Sequence, residues 1–163
     1  VGKNMFNFFG KKKQEISLYA PLQGKVIGIE AVDDQVFSQK IMGDGIAVEP
    51  TNNQLVAPCD GQIILVAKTK HAIAIRAQGG LEVLLHVGMD TVELEGEGFT
   101  CHVREGQAVK RGELLLEFDR QLLAAKGKKL TTPLVITNGE EKVSQLVRSN
   151  PGDSGPVLQI TLK

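Results

Sequence analysis

With 163 residues, the chain has the length for one domain with a hydrophobic core of its own. Its 19 basic and 19 acidic side chains balance, so no global field draws it to nucleic acid or to acidic substrates. One tyrosine, six phenylalanines and no tryptophan leave little from which to build a base-stacking surface. No apolar run is long enough for a membrane span or a cleavable signal peptide. Cys59 and Cys101 have neither metal-ligand spacing nor a secretory context, which fits a reduced, cytoplasmic setting.

Val1 to Asn4 precede the first methionine, Met5, and read as a leftover of expression rather than native sequence. Residues 5–15, rich in Phe and Lys, are expected to be flexible. The same residues suit a weak contact with an anionic membrane surface. A single domain is expected from Ile16 to Lys163.

From Ile16 the text is β-like, with short Val/Ile/Leu runs broken by Pro, Gly and Asp. Ala20-Pro21-Leu22-Gln23-Gly24-Lys25-Val26-Ile27 and Ala57-Pro58-Cys59-Asp60-Gly61-Gln62-Ile63-Ile64 share the form A-P-x-x-G-x-[IV]-I. Each suits a proline entry at an edge, a glycine at a tight turn and then a strand, so two related β-motifs are expected to pack together. Between them, Val36, Phe37, Ile41 and Met42 fit no single strand face and predict one or two helical turns on the sheet. They read equally well as core and as a partly exposed docking patch. Gly43-Asp44-Gly45 is a turn, and Ile46-Ala47-Val48 a strand.

Two further runs, Thr69 to Ala77 and Gly80 to Val87, flank Gln78-Gly79-Gly80, a glycine pair of the kind that closes hairpins. A two-residue loop at Gln78-Gly79 would set His71 directly across from His86, with Cβ atoms roughly 5 Å apart. Moving the loop to Gly79-Gly80 makes them diagonal on one face, whereas a three-residue loop separates them to opposite faces. In the first register Ile73, Ile75, Glu82 and Leu84 share the histidine face. The reverse face, with Ala72, Ala74, Leu81, Val83, Leu85 and Val87, is then the expected core side, leaving the histidines solvent-accessible. Later segments read as alternating turns and strands. Asp119 is an expected N-cap for a helix over Arg120 to Lys126, with Leu122 and Leu123 inward and Gly127 ending it. Thr132 to Thr137 and Pro156 to Leu162 are late strands. The predicted class is all-β with one or two short helices.

A lone histidine in a β-protein is usually structural, and His102 keeps that reading. The His71–His86 pair supports three chemistries. A neutral imidazole can accept a phosphoryl group while the neighbouring ring steadies its oxygens. The pair could bind zinc, but two nitrogens are half a site, so Asp34, Asp90 or a partner protein would have to complete it. An acid–base pair is the third, without an evident nucleophile or pocket.

Gly80-Leu-Glu-Val-Leu-Leu-His86-Val-Gly88-Met-Asp90-Thr91-Val92 followed by Gly96-Glu97-Gly98-Phe99 resembles the active-site signature of the glucose-type enzyme IIA of the bacterial sugar phosphotransferase system. The resemblance extends to Gln35-Val36-Phe37, Met42 to Ala47, Thr69 to Ala72 and Thr132-Pro133, and spans about Tyr19 to the C-terminus. It implies a flattened antiparallel β-sandwich built on a duplicated hybrid motif, in agreement with the A-P-x-x-G echo. It also implies that His86 accepts a phosphoryl group on Nε2 from the phosphohistidine of the carrier protein HPr and passes it to a cysteine of a permease IIB domain. His71 would support the phosphoryl group, Thr69 would orient His71, and the Gly88 carbonyl would hold Nδ1–H of His86. Asp34 and Asp90 would flank the site, and Val36, Phe37, Ile41, Met42 and Leu84 would form an apolar docking surface.

Two departures matter. The family usually has Phe at the place of Leu84 and often Glu at Gln39, so regulatory partners and a shared metal site are not carried over. No cofactor is required on this reading, and zinc enters only as an adventitious or partner-completed ion. No permease segment or IIB-like cysteine motif is present, which fits a stand-alone IIA or an excised domain, and the sugar is left open. A lysostaphin-type zinc peptidase would need His-x-His on the second strand, where this chain has Leu84. A lipoyl- or biotinyl-type carrier would need a lysine at a hairpin tip beside methionine or alanine, and Glu105 to Leu114 offers no Lys-Met tip.

Overall fold

The computed structural model describes residues 13–149 and 154–163. The short β-branched and leucine runs become strands, and the glycine, proline and aspartate clusters between them become turns. In chain order the strands are β1 (Glu15–Leu18), β2 (Gly24–Gly28), β3 (Asp44–Pro50), β4 (Gln54–Val56), β5 (Gly61–Val66), β6 (Ala72–Arg76) and β7 (Glu82–His86). There follow β8 (Phe99–Cys101), β9 (Ala108–Val109), β10 (Leu114–Phe118), β11 (Thr132–Ile136), β12 (Val143–Arg148) and β13 (Leu158–Leu162). They form a seven-stranded sheet in the order β2-β3-β11-β7-β6-β5-β9 and two three-stranded sheets, β1-β13-β12 and β4-β10-β8. Every pairing is antiparallel.

The sheets close on one core. Ile16 and Leu18 of β1, Leu55 of β4, Leu115 and Leu116 of β10, and Leu158 and Ile160 of β13 meet Ile73, Ile75, Val83 and Leu85 of the large sheet. The result is an all-β antiparallel sandwich, as the resemblance implies. Among the described residues three short α-helices decorate it, α1 (Gln35–Ser38), α2 (Arg120–Ala125) and α3 (Gly139–Lys142), one more than expected. The α2 helix is capped as anticipated: the Asp119 carboxylate accepts from the Leu122 N–H at 3.1 Å, and Leu123 is fully buried. Leu122 is only half-buried. The helix α3, β4 and β12 carry no strong pattern and were not expected. The first strand begins at Glu15, and the Gln14 carbonyl accepts from Leu162 N–H, so the fold starts just before Ile16. The suggested expression leftover and the membrane-contacting Phe/Lys run lie, apart from Lys13 to Glu15, outside the described residues.

The internal echo is structural. Gly24 opens β2 and Gly61 opens β5, each at the same step of its motif. A Cβ on Gly24 would run into the Glu49 carbonyl of β3, and one on Gly61 into the Arg76 carbonyl of β6. Only glycine allows that approach of two backbones. The two proline segments also bond crosswise, Tyr19 N–H to the Pro58 carbonyl at 3.0 Å and Val56 N–H to the Pro21 carbonyl at 2.7 Å.

The hairpin between β6 and β7 corrects the expected register. Gln78–Gly80 forms a 3₁₀ turn with Gly79 and Gly80 both at positive φ, 75° and 83°, so the loop takes one residue more than a two-residue turn. Ala72 therefore faces His86, and Ala74 faces Leu84. The face assignment changes with it. Ile73 and Ile75 join Leu81, Val83, Leu85 and Val87 in the main core, while Ala72, Ala74 and Leu84 lie on the other side in a second apolar cluster with Phe37, Met89 and Val135.

Candidate functional site

In this register a regular strand would send His71 to the core side, away from His86. It escapes because β6 begins only at Ala72. The preceding Lys68–Lys70 turn ends with Lys70 at a left-handed φ of 61°, and His71 sits in a bend. The two rings meet edge to face, 4.8 Å between centroids at 83°. Phe37 also packs against His86, 5.1 Å away at a tilt of 56°. The pair is therefore made by a turn and not by direct cross-strand register.

The rings differ in exposure. His86 is half-buried, whereas His71 is buried at 8% exposure, so the expectation that both stand in solvent holds only for His86.

Each ring is held through Nδ1. The Thr69 hydroxyl lies 2.7 Å from His71 Nδ1. For His86 the partner is the Gly88 carbonyl, 2.8 Å from Nδ1. A carbonyl only accepts, so Nδ1 of His86 carries the proton and Nε2 keeps its lone pair. The loop after β7 is tight. Gly88 has φ 74°, and Asp90 is left-handed at 58° without being glycine. A Cβ on Gly88 would come within 2.9 Å of the Lys129 carbonyl and 2.7 Å of the Thr91 methyl.

Both imidazoles are poor bases here. Burial, and then the neighbouring His86, push the His71 pKa down to about 4. Burial also lowers that of His86, but the Gly88 carbonyl, Asp34 and Asp90 oppose the shift. Near neutral pH both rings are uncharged. The thiols do not compete as nucleophiles: burial, then Asp60, raise Cys59 to about 12, and Cys101 Sγ donates to the Val103 carbonyl.

Asp34 caps α1, accepting from the Val36 N–H at 2.9 Å, whereas Asp90 stands at the start of the 3₁₀ turn Thr91–Leu94 in a left-handed conformation, without a side-chain capping bond. The expected docking surface divides. Val36, Ile41 and Met42 are 42%, 66% and 38% exposed, whereas Phe37 and Leu84 are buried beneath them at 5% and 6%. Phe37 thus packs on His86, and Phe37 and Leu84 both present little surface to a partner. His102 pairs with Glu117, Nε2 to Oε1 2.7 Å. Neither Asp34 nor Asp90 turns the histidine pair into a metal cluster: among the described residues no group of three or more His, Cys, Asp or Glu is placed to hold an ion. Among the same residues no helix is long and apolar enough to cross a membrane.

Sequence reasoning passed over Thr91, Met89 and Lys129. All three fasten the Gly88 loop, and only Thr91 carried a readable signal, a hydroxyl able to bond a backbone carbonyl inside a turn.

A family described as the phosphoenolpyruvate-dependent sugar phosphotransferase system, EIIA 1, matches residues 16–142. The chain belongs to this family. It is 46% identical over 165 residues to a glucose-specific EIIA component of Bacillus cereus, with 99% of each chain covered. It is also 51% identical over 125 residues to a beta-glucoside-specific EIIBCA component of Dickeya chrysanthemi, covering 77% of this chain and 20% of that one. Among solved structures, glucose permease IIA from Mycoplasma capricolum superposes with a TM-score of 0.77 at 33% identity, covering 91% of this chain and 95% of that one. This EIIA is accordingly a phosphoryl carrier of the sugar phosphotransferase system, one phosphotransferase component within it.

Proposed function

We propose that His86 Nε2 is the atom that carries the phosphoryl group during sugar uptake. The observation that carries this reading is the bond from His86 Nδ1 to the Gly88 carbonyl, which leaves Nε2 as a free nucleophile on a half-buried ring. As the bond from Nε2 to phosphorus forms, the bond from phosphorus to the donor breaks. The positive charge that develops on the ring is met by the Gly88 carbonyl and by the nearby Asp34 and Asp90 carboxylates.

His71 has the complementary role. On this reading the Thr69 O–H, 2.7 Å from His71 Nδ1, is the donor, which puts the His71 proton on Nε2, where it can donate to a phosphoryl oxygen. Its depressed pKa keeps it a neutral donor. The two carboxylates repel the bound phosphoryl group, which favours passing it on over storing it.

The donor on this reading is the phosphohistidine of HPr, and the acceptor is a cysteine of a permease IIB domain. The Dickeya relative, an EIIBCA component by name, supports the acceptor. Val36, Ile41 and Met42 would receive these partners, and the setting would be cytoplasmic. Zinc would bind the two imidazoles only with further ligands from a partner.

The test is single-turnover transfer with phosphoenolpyruvate, enzyme I and HPr as the source. His86→Ala abolishes labelling. His71→Gln still accepts the group but slows onward transfer about tenfold or more, the scale of one lost transition-state donor. Labelling that survives loss of His86 defeats the assignment.

A further inference from the structure

The carbonyl that fixes the His86 tautomer is itself held from several sides. The Gly88–Met89 peptide unit accepts from His86 Nδ1 at its oxygen, and its N–H donates to the Lys129 carbonyl at 2.9 Å. The preceding peptide is held by Thr91, whose hydroxyl donates to the Val87 carbonyl at 2.6 Å. Thr91 is fully buried, one of four buried polar side chains among the described residues. Its methyl also fills the space beside Gly88 where a Cβ would stand. One side chain thus touches the loop twice, by a hydrogen bond before Gly88 and by packing on Gly88 itself.

The loop needs that help. Gly88 and Asp90 are both left-handed, and a non-glycine residue in that region stores backbone strain that surrounding contacts must hold. Without the Thr91 bond, the Val87–Gly88 peptide loses the hydrogen bond at its carbonyl, and the Met89–Lys129 bond is left to hold the Gly88 carbonyl against His86. The acceptor that keeps the His86 proton on Nδ1 is then less firmly placed.

We propose that Thr91 is a positioning residue for phosphoryl transfer, setting the tautomer of His86 through the Gly88 carbonyl. This rests on the reading of His86 as the acceptor, but the tautomer itself can be read without any transfer. The variant is Thr91→Val, which keeps a methyl beside Gly88 and removes the hydroxyl; Thr91→Ser restores the hydroxyl.

The measurement is the pair of ring ¹⁵N shifts of His86 at neutral pH. In the unaltered chain and in Thr91→Ser, Nδ1 is the protonated nitrogen and Nε2 the bare one. In Thr91→Val the two shifts converge, and phosphoryl acceptance from HPr falls about tenfold, the low end for losing a group that orients an imidazole. If Thr91→Val does not fold, Thr91→Ala, which sets no new methyl against the Val87 carbonyl, is read the same way. A Thr91→Val or Thr91→Ala protein whose His86 shifts match the unaltered chain overturns the proposal, whatever its transfer rate. Converged shifts with unchanged acceptance uphold the positioning and refute His86 as the acceptor instead.

Discussion

The two halves of the large sheet begin alike and end differently. The hairpins β2–β3 and β5–β6 share the A-P-x-x-G entry, the glycine pressed on a partner-strand carbonyl and the crosswise proline bonds. Their connections do not match. Between β2 and β3 the chain inserts a 3₁₀ turn and α1, which bring Asp34 and Phe37; between β5 and β6 it inserts only the turn that brings Thr69 and His71. Both connections converge on His86, one bringing Phe37 against its ring and the other His71. The repeated part builds the platform, and the unequal connections furnish it with chemistry.

That contrast can be broken most strongly at the platform. Gly24→Ala and Gly61→Ala should each cost about 3 kcal/mol or more, because backbone atoms must part to admit the Cβ. Denaturant unfolding of both variants checks the symmetry. A large loss at one glycine and none at the other would show that the halves do not bear load equally.

The connections are sharpened by pH. The folded pKa of His71 lies below its unfolded value, so the unfolded chain binds more protons between pH 6.5 and about 4. The stability tied to this ring is complete above pH 6.5 and is lost as pH falls toward 4. The loss is on the order of 3 kcal/mol for a shift of that size. Comparing His71→Gln with the unaltered chain isolates it from the carboxylates: the variant should lose less stability over that window. Parallel curves would mean that burial of His71 does not perturb it.

The smallest effect separates cap from charge at Asp34. Asp34→Asn keeps an N-cap acceptor for Val36, so stability should hold, while the His86 pKa falls further without the carboxylate. Asp34→Ala should produce the same fall and also lose about 1 kcal/mol. NMR titration of His86 with thermal unfolding checks both.

Much of the platform was legible because its signals are local. The echo marked β2 and β5 by proline and glycine, and Asp119 marked the start of α2. The site was legible as residues but not as geometry. Gln78-Gly79-Gly80 permits a two- or a three-residue loop, and only the fold selects between them. The three-residue form taken alone would separate the histidines. What reunites them is Lys70 in a left-handed conformation that no residue type there advertises. Phe37 and Leu84 show a second limit: apolar spacing marks core and docking surface alike, and burial distinguishes them only once the sheet is in place.

The most direct test is to find the phosphorylated nitrogen. After incubation with phosphoenolpyruvate, enzyme I and HPr, ³¹P and ¹⁵N spectra of the full chain should show one acid-labile, base-stable phosphoryl group on Nε2 of His86, with His71 still neutral. A phosphoryl group on His71, on His102 or on Nδ1 of His86 would contradict the account.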